Sequence, residues 1–396
     1  MDSNVFSIVN GKILTPNGII SDGAIVISNG KIKSIHGKDR TLRKMTEVDA
    51  KGCYISPGFI DMHIHGGGGS DFMDAQMSAF FKIAETHACF GTTSMLPTIL
   101  SSSKEHMLET LNCYEMANQK NEGGSFFLGV HLEGPYFAMS QRGAQDPRYI
   151  RNPDPAEYQD ILLKFPSVKR WSAAPELPGS IAFCKFAKSK GVLVSMAHTD
   201  AIFDEAELGF EKGFSLVTHL YSGMSGVTRK NAFRYAGVVE AAFLIDELDV
   251  EIIADGVHLP PPLLRLVYKI KGSGRTALIT DAMRAAGMPP GPSILGGSKD
   301  GTKVIVEDGV AKLPDRSSFA GSVATADRLV RNMVSMANVS LLEAVDMMTR
   351  TPARILGIAG SKGSLDVAKD ADIVIFNEQI QIQTTFVKGQ LVYQRR

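Results

Sequence analysis

Between Phe59 and Met283, short apolar runs alternate with stretches of helical period, and that alternation leaves a chain few folds to choose from. The runs are Phe59–His65, Thr92–Pro97, Phe126–Glu133, Lys169–Pro175, Val192–His198, Leu216–Leu220, Val250–Ala254 and Thr276–Asp281. Helical stretches such as Ala75–Phe90, Ile181–Lys190 and Ala201–Lys212 fall between most of them. About eight strand–helix units over this length predict an α/β fold, a (β/α)₈ TIM-like barrel. A doubly wound open sheet is the alternative, but it would want a glycine fingerprint after its first strand.

The two ends of the chain follow another pattern. Val5–Val9, Ile19–Ile27 and Lys31–Ile35 are rich in β-branched residues, and Asn10-Gly11, Asn17-Gly18, Asp22-Gly23 and Asn29-Gly30 punctuate them as hairpin turns. After a helical stretch at Leu341–Leu356, the tail returns to strands and turns at Gly363-Ser364, Lys369–Asp372, Ile373–Phe376, Phe386–Val387 and Gln390–Tyr393. The expected organisation is a small β-sandwich domain built from residues 1–56 plus 358–396, with the barrel, residues 57–357, inserted between them.

A chain of 396 residues that is 44% hydrophobic and 21% charged has material for a large core and is not a disordered polymer. Lys plus Arg and Asp plus Glu are both 42, so the net charge is zero, which argues against a nucleic-acid or acidic-membrane partner. A local cationic anchor for a small anion remains compatible with that balance. Four separated cysteines without a CxxC pair do not make a disulfide framework. The first thirty residues lack an apolar run behind a basic start, and no stretch of about twenty apolar residues occurs, so a cytoplasmic enzyme is expected.

In a barrel of this kind, functional groups collect at the C-terminal ends of the strands. There the sequence places Asp61, His63 and His65, then His131 and Glu133, then His198, His219, Asp255, His258 and Asp281. Alternation predicts Asp61, His63 and His65 on one face, toward the mouth, with Ile60, Met62 and Ile64 packed on the surrounding helices. Burying several imidazoles and carboxylates together is costly unless a cation joins them. Neutral imidazole and carboxylate suit Zn²⁺, Fe²⁺, Mn²⁺ or Co²⁺. His36, His87 and His106 lie away from the strand ends and read as structural. Gly66–Gly69 lacks the GK[ST] of a phosphate loop and reads as a tight exit from the first barrel strand. Arg229-Lys230 reads as solvated.

Pro57-Gly58-Phe59-Ile60-Asp61-Met62-His63-Ile64-His65-Gly66, His131-Leu132-Glu133-Gly134-Pro135-Tyr136, Ala197-His198-Thr199, Thr218-His219-Leu220-Tyr221, Ile253-Ala254-Asp255-Gly256-Val257-His258, Leu278-Ile279-Thr280-Asp281-Ala282 and Phe319-Ala320-Gly321-Ser322 together resemble the amidohydrolase superfamily. Within it, the chain is similar to the N-acetylglucosamine-6-phosphate deacetylase family. No lysine ends the fourth strand, where many two-metal amidohydrolases carry one, and Glu133 on the third strand stands in its place.

The resemblance implies Glu133, His198 and His219 as principal metal ligands and His63 and His65 as ligands of a second metal, with Glu133 bridging. It implies one or two divalent metals per subunit, zinc first among them. Asp281 matches the catalytic aspartate. Ala144, Gln145, Ser222, Gly223, His258, Phe319, Ala320 and Gly321 fall at substrate-binding positions, and Arg234 matches a phosphate-binding arginine supplied across a homodimer interface. Three positions depart from the family pattern: Ser222-Gly223 stands where many members have Asn-Ala, Arg234-Tyr235-Ala236-Gly237 where Arg-Glu-Pro-Gly is usual, and Gln145 where some relatives have histidine. The implied reaction is hydrolysis of the N-acetyl group of N-acetylglucosamine 6-phosphate to glucosamine 6-phosphate and acetate. The alternatives are deacetylation of another N-acetyl sugar or an N-acetyl amino acid, and an inactive barrel scaffold, although a scaffold would be expected to have lost ligand residues that this chain retains.

Overall fold

Asn29 and Gly30 both adopt positive φ, at 52° and 73°, and so turn Gly18–Ser28 back onto Lys31–His36 as an antiparallel pair. Val5–Thr15 pairs antiparallel with Gly18–Ser28 across a turn at Pro16-Asn17. The structure, a computed structural model, describes residues 5–37 and 45–396. Residues 1–4 and 38–44, which fall within the expected 1–56 segment, lie outside the described residues. The tail joins the opening hairpins through Ile373–Phe376, which runs antiparallel to Tyr54–Pro57. Ile382–Val387 and Gln390–Gln394 extend that edge, giving an eight-stranded mixed sheet drawn from both ends of the chain. Its core is a layer of Ile8, Ile13, Ile25, Ile27, Ile55, Ile373, Ile375 and Phe386. Gly363-Ser364 and Lys369–Asp372 are turns that lead into this sheet rather than strands.

The chain then forms the barrel. Its strands are Phe59–Ile64, Thr92–Ile99, Val130–Glu133, Val168–Ala173, Leu193–Met196, Leu216–Val217, Asp249–Ile252 and Thr276–Leu278, paired in parallel in that order. A parallel bridge between Ile64 and Ala282 brings the last strand back to the first. The (β/α)₈ reading therefore describes this chain, and the open-sheet alternative does not. The expected third strand, Phe126–Glu133, is two pieces: Phe126–Phe127 and Val130–Glu133, with Gly129 between them at φ 136°. The helical stretch at 341–356 is likewise two short helices, Leu341–Asp346 and Arg350–Ile355.

The barrel interior is stacked in layers. At the bottom, Ile60 and Met62 meet Leu96, Leu216, Ile253, Ala277 and Ile279 from four other strands. This corrects the expectation that Ile60 and Met62 face the helices. The pairing of the first strand slips between Phe59 and Ile60 and again between Asp61 and Ile64, so simple two-residue alternation fails there. Above the apolar layer, Arg170 and Glu251, both fully buried, form a two-pronged ion pair. Ser172, Ser195, Thr218 and His131 complete a polar layer around them. The strand ends carry the next layer.

A second small sheet follows the barrel strands. Gly291–Leu295, Thr302–Glu307, Val310–Lys312 and Phe319–Ser322 form an antiparallel meander against the mouth of the barrel. Sequence periodicity did not single it out, although Asp308-Gly309 between alternating apolar residues is a hairpin signal, and both residues adopt positive φ.

Candidate active site

Glu133 ends the third strand and stands at the centre of the uppermost layer. Its Oε1 lies 3.1 Å from His219 Nε2, 3.3 Å from His198 Nε2 and 3.5 Å from His63 Nε2. Its Oε2 lies 3.4 Å from His65 Nε2. Two groups of potential metal ligands thus share one carboxylate: His63, His65 and Glu133, and Glu133, His198 and His219. Asp281, beyond the eighth strand, places Oδ1 3.0 Å from His65 Nε2 and 3.4 Å from His63 Nε2. All six residues are buried.

The backbone is bent to achieve this. His198, His219 and Asp281 have φ of 47°, 32° and 48°, in the left-handed region where non-glycine residues are uncommon. Such conformations cost roughly 1–3 kcal/mol each and cluster where function requires them. Here they occur just past the ends of the fifth, sixth and eighth strands, at the residues whose side chains meet around Glu133 and at Asp281 beside it.

The donor set fits a divalent cation. His198 Nδ1 donates to the Gln141 carbonyl at 2.7 Å, so in the neutral ring Nε2 is a bare lone pair aimed at the Glu133 carboxylate. His63 Nε2 and His65 Nε2 face one another at 3.1 Å. A lone pair aimed at a carboxylate is repelled unless a cation sits between them, and an imidazole fixed by its other nitrogen, as His198 is, is a common metal ligand. Burial works against a charge on Glu133, yet the facing His63, His198 and His219 hold its carboxyl well below the usual range. His63 itself is shifted down, chiefly by burial.

Neighbouring groups hold the constellation in place. Gln145 donates from Nε2 to Glu133 Oε2 at 2.9 Å. Asp61 accepts from Thr280 N, Thr280 Oγ1 and His63 N, and so ties the first strand to the residue before Asp281; burial pushes its carboxyl up to about 7 despite those bonds. His131 lies beneath the rim, between Thr98 and Ser172 at 3.2 and 2.7 Å, and does not join the ligand groups. Gly66–Gly67 and Ser70–Asp71 pair as a tight hairpin off the first strand. The side-chain position on Gly67 is taken by His87, which bonds the Gly66 carbonyl at 2.9 Å.

A cavity of about 490 Å³ opens over these groups, a size that suits a small ligand. Ala144, Gln145, Ser222, Gly223, His258, Phe319 and Gly321 line it together with His65, Glu133, His198, His219 and Asp281. His258 bonds Asp255 through Nδ1 at 2.7 Å and packs its ring on Phe319, centroids 4.6 Å apart. Two expected residues lie elsewhere. Ala320 is fully buried on the opposite face of its strand, among Met283, Val304 and Val306, because Phe319 and Gly321 take the cavity face. Arg234 projects from an exposed hairpin, Thr228–Lys230 paired with Phe233–Tyr235, and does not line the cavity of its own chain. The sequence reading in turn passed over Lys312, Arg316, Ser317 and Ser318, which do line it.

A parallel barrel whose strand ends gather four imidazoles around one glutamate defines a metal-dependent hydrolase architecture; the amidohydrolase family matches residues 54–392, and the chain belongs to that family. It is 33% identical over 381 residues to the N-acetylgalactosamine-6-phosphate deacetylase of Escherichia coli O157:H7, covering 96% of this chain and 97% of that one. It is also 33% identical over 388 residues to the N-acetylglucosamine-6-phosphate deacetylase of Lysinibacillus sphaericus, covering 96% of each. Among solved structures, that of N-acetylglucosamine-6-phosphate deacetylase from Pasteurella multocida superposes with a TM-score of 0.92 at 28% identity, over 99% of this chain and all of that one.

Proposed function

We propose that this chain is a metal-dependent deacetylase that hydrolyses the N-acetyl group of N-acetylglucosamine 6-phosphate, giving glucosamine 6-phosphate and acetate. The observation that carries the reading is the shared Glu133, with four imidazole nitrogens within 3.5 Å of its oxygens and Asp281 beside them. Near-full-length similarity to deacetylases of amino-sugar 6-phosphates supports the substrate class.

Glu133, His198 and His219 would hold one divalent ion, zinc being the first choice, and His63 and His65 with Glu133 a second. When bound, such an ion supplies Lewis-acid chemistry, lowering the pKa of water and polarising a carbonyl oxygen. Asp281 takes the proton of the attacking water as its oxygen adds to the acetyl carbon. The same carboxyl then gives that proton to the nitrogen as the C–N bond breaks, so the amine departs neutral with acetic acid, whose remaining proton passes to the amine or to solvent at neutral pH to leave acetate. His258, fixed by Asp255, and the wall of Ser222, Gly223 and Phe319 position the sugar. Among the described residues no helix is long and apolar enough to cross a membrane, and the enzyme acts in the cytoplasm on this reading. As a homodimer it would bring Arg234 of one subunit to the phosphate in the other.

The test pairs metal analysis of freshly purified protein with acetate release from N-acetylglucosamine 6-phosphate, its unphosphorylated form and the galacto epimer. The equal identity to a galactosamine-type relative makes the epimer a real second reading. Preference for the gluco 6-phosphate supports the proposal. Preference for the epimer transfers the assignment, and metal-free protein without activity on any of the three removes it. His198→Ala and His219→Ala should lose metal and activity together. Mixing Arg234→Ala with Asp281→Asn chains should restore activity if Arg234 acts across a dimer.

A further inference from the structure

The meander at the barrel mouth brings cations into the cavity from a place the sequence motifs did not point to. Among the described residues, the lysine and arginine that line the cavity are Lys312 and Arg316. Lys312 ends one strand of the meander, and Arg316 sits in the loop that leads to Phe319–Ser322. From this placement we infer that Lys312 and Arg316 form an anion-binding end of the substrate cavity within a single chain, and that the anion they take is the phosphate of the sugar phosphate. The inference rests on the deacetylase reading above and adds to it the residues that select a phosphorylated sugar.

The loop is built rather than loose. Leu313 N donates to Ser318 O at 3.0 Å and Arg316 N to Leu313 O at 2.9 Å. Asp315 accepts from the amide and hydroxyl of Ser317 at 3.0 and 2.7 Å. Arg316 itself is held at φ 59°, a backbone state its side chain does not favour. The loop also lies against the reaction centre. A side chain placed on Gly143 would come within 3.6 Å of the His198 ring and 3.7 Å of Ser318 Oγ, so hairpin and metal ligand flank the same small space. At the end of the loop Phe319 packs on His258.

The two cations are aimed from behind. Lys312 Nζ bonds Asp308 at 2.6 Å and reaches Glu307 at 3.5 Å. Arg316 bonds Glu307 through Nε and Nη2 at 3.2 and 3.3 Å. Glu307 and Asp308 do not line the cavity. They orient the cations and balance their charge until a dianion enters. The hydroxyls of Ser317 and Ser318, also on the cavity wall, add donors suited to phosphate oxygens. A phosphate monoester carrying close to two negative charges matches an ammonium and a guanidinium fork, whereas a neutral sugar gains little from them. Arg229, Lys230 and Arg234 lie on the exposed hairpin outside this cavity, so they do not replace the pair within one chain.

The experiment compares metal-loaded wild type, Lys312→Ala, Arg316→Ala and Arg316→Lys on N-acetylglucosamine 6-phosphate and on N-acetylglucosamine, with inorganic phosphate as a competing anion. Circular dichroism and metal content establish that each variant is folded and loaded. Each alanine variant should raise KM for the phosphorylated sugar by roughly 10- to 150-fold, the range of one charge-assisted contact. The same variants should leave kcat at saturation and the parameters for N-acetylglucosamine within a factor of two or so. Inorganic phosphate should inhibit them more weakly in parallel, with Arg316→Lys intermediate because it keeps charge but loses the fork. A wild type that prefers the phosphorylated sugar while all variants keep that preference overturns this inference alone. Equal losses on both sugars also overturn it. A wild type indifferent to the phosphate overturns the substrate reading and this inference with it.

Discussion

Gln145 Nε2 donates to Glu133 Oε2 at 2.9 Å while its own Oε1 accepts from the backbone of Ser101 at 3.0 Å, so one amide ties the central carboxylate to the end of the second barrel strand. This gives the residue a task separate from the substrate contact expected of it. Partners of metal ligands are typically worth 10- to 100-fold in metal affinity. Gln145→Ala should weaken retention of the metal by that order, and Gln145→Glu should do worse, since it sets a second carboxylate against Glu133. Competition with a chelator measures this directly. Unchanged affinity in both variants would show that Glu133 is fixed by its histidine neighbours alone.

Asp281 lies 3.0 Å from His65 Nε2, and burial of its carboxyl is outweighed by the neighbouring His63 and His65, which shift it below its ordinary value. It is therefore ionised and able to accept a proton at neutral pH. Asp281→Asn keeps the shape and removes the proposed proton carrier. Substrate affinity should persist while kcat falls at least about 10²–10⁴-fold, the usual contribution of a general acid–base group. A variant within about threefold of wild-type kcat would assign the proton to another group.

Much of this site was legible because a barrel converts sequence order into geometry. Glu133, His198 and Asp281 each end a predicted strand and His63 and His219 lie within two residues of an end, and strand ends converge whatever the distance in sequence. What escaped depends on contacts that period and motif do not encode. The slip of pairing around Asp61 placed Met62 with the inner apolar layer, against simple alternation. Ala320 belonged to a motif, but the pleat of its strand turned it away from the cavity. Lys312 and Arg316 lie in a meander announced only by Asp308-Gly309, and nothing local says that the meander folds over the barrel mouth. The resemblance pointed instead to Arg234 as the phosphate-binding arginine, and it is exposed, as are Arg229 and Lys230, which read as solvated.

His87 supplies a pH dependence of stability that is separate from catalysis. It is fully buried, bonds Gly66 O at 2.9 Å, and burial lowers its pKa from 6.5 to about 4. The unfolded chain therefore binds a proton near pH 6.5 that the folded chain refuses until about pH 4. Stability from this group is complete above pH 6.5 and is lost as pH falls from 6.5 to 4, by up to about 3 kcal/mol. His87→Gln keeps a donor for Gly66 O and cannot titrate. Denaturant unfolding at pH 7.5 and pH 5 should show a smaller pH difference in the variant than in wild type, and an identical difference in both would assign the acid sensitivity elsewhere.

The ion pair in the middle of the barrel makes the most severe test of the fold itself. Arg170 and Glu251 are both fully buried and doubly bonded, Nη2 to Oε2 at 2.6 Å and Nη1 to Oε1. Arg170 also donates to Ser195 Oγ at 3.2 Å, Thr218 Oγ1 at 2.8 Å and the Met62 carbonyl at 3.2 Å, which joins the fourth barrel strand to the fifth, the sixth and the first. Removing one charge leaves the other buried without its counter-charge, which costs about 3–5 kcal/mol. Glu251→Leu should show that loss, and Arg170→Met should match or exceed it because the Met62 carbonyl also loses its donor. Combining Arg170→Met with Glu251→Leu removes both charges and should recover most of the penalty, leaving the smaller cost of the unpaired carbonyl, about 1–3 kcal/mol. Equilibrium unfolding of the four proteins closes the cycle. Strictly additive losses would mean that the pair is not coupled, and that water reaches the centre of the barrel.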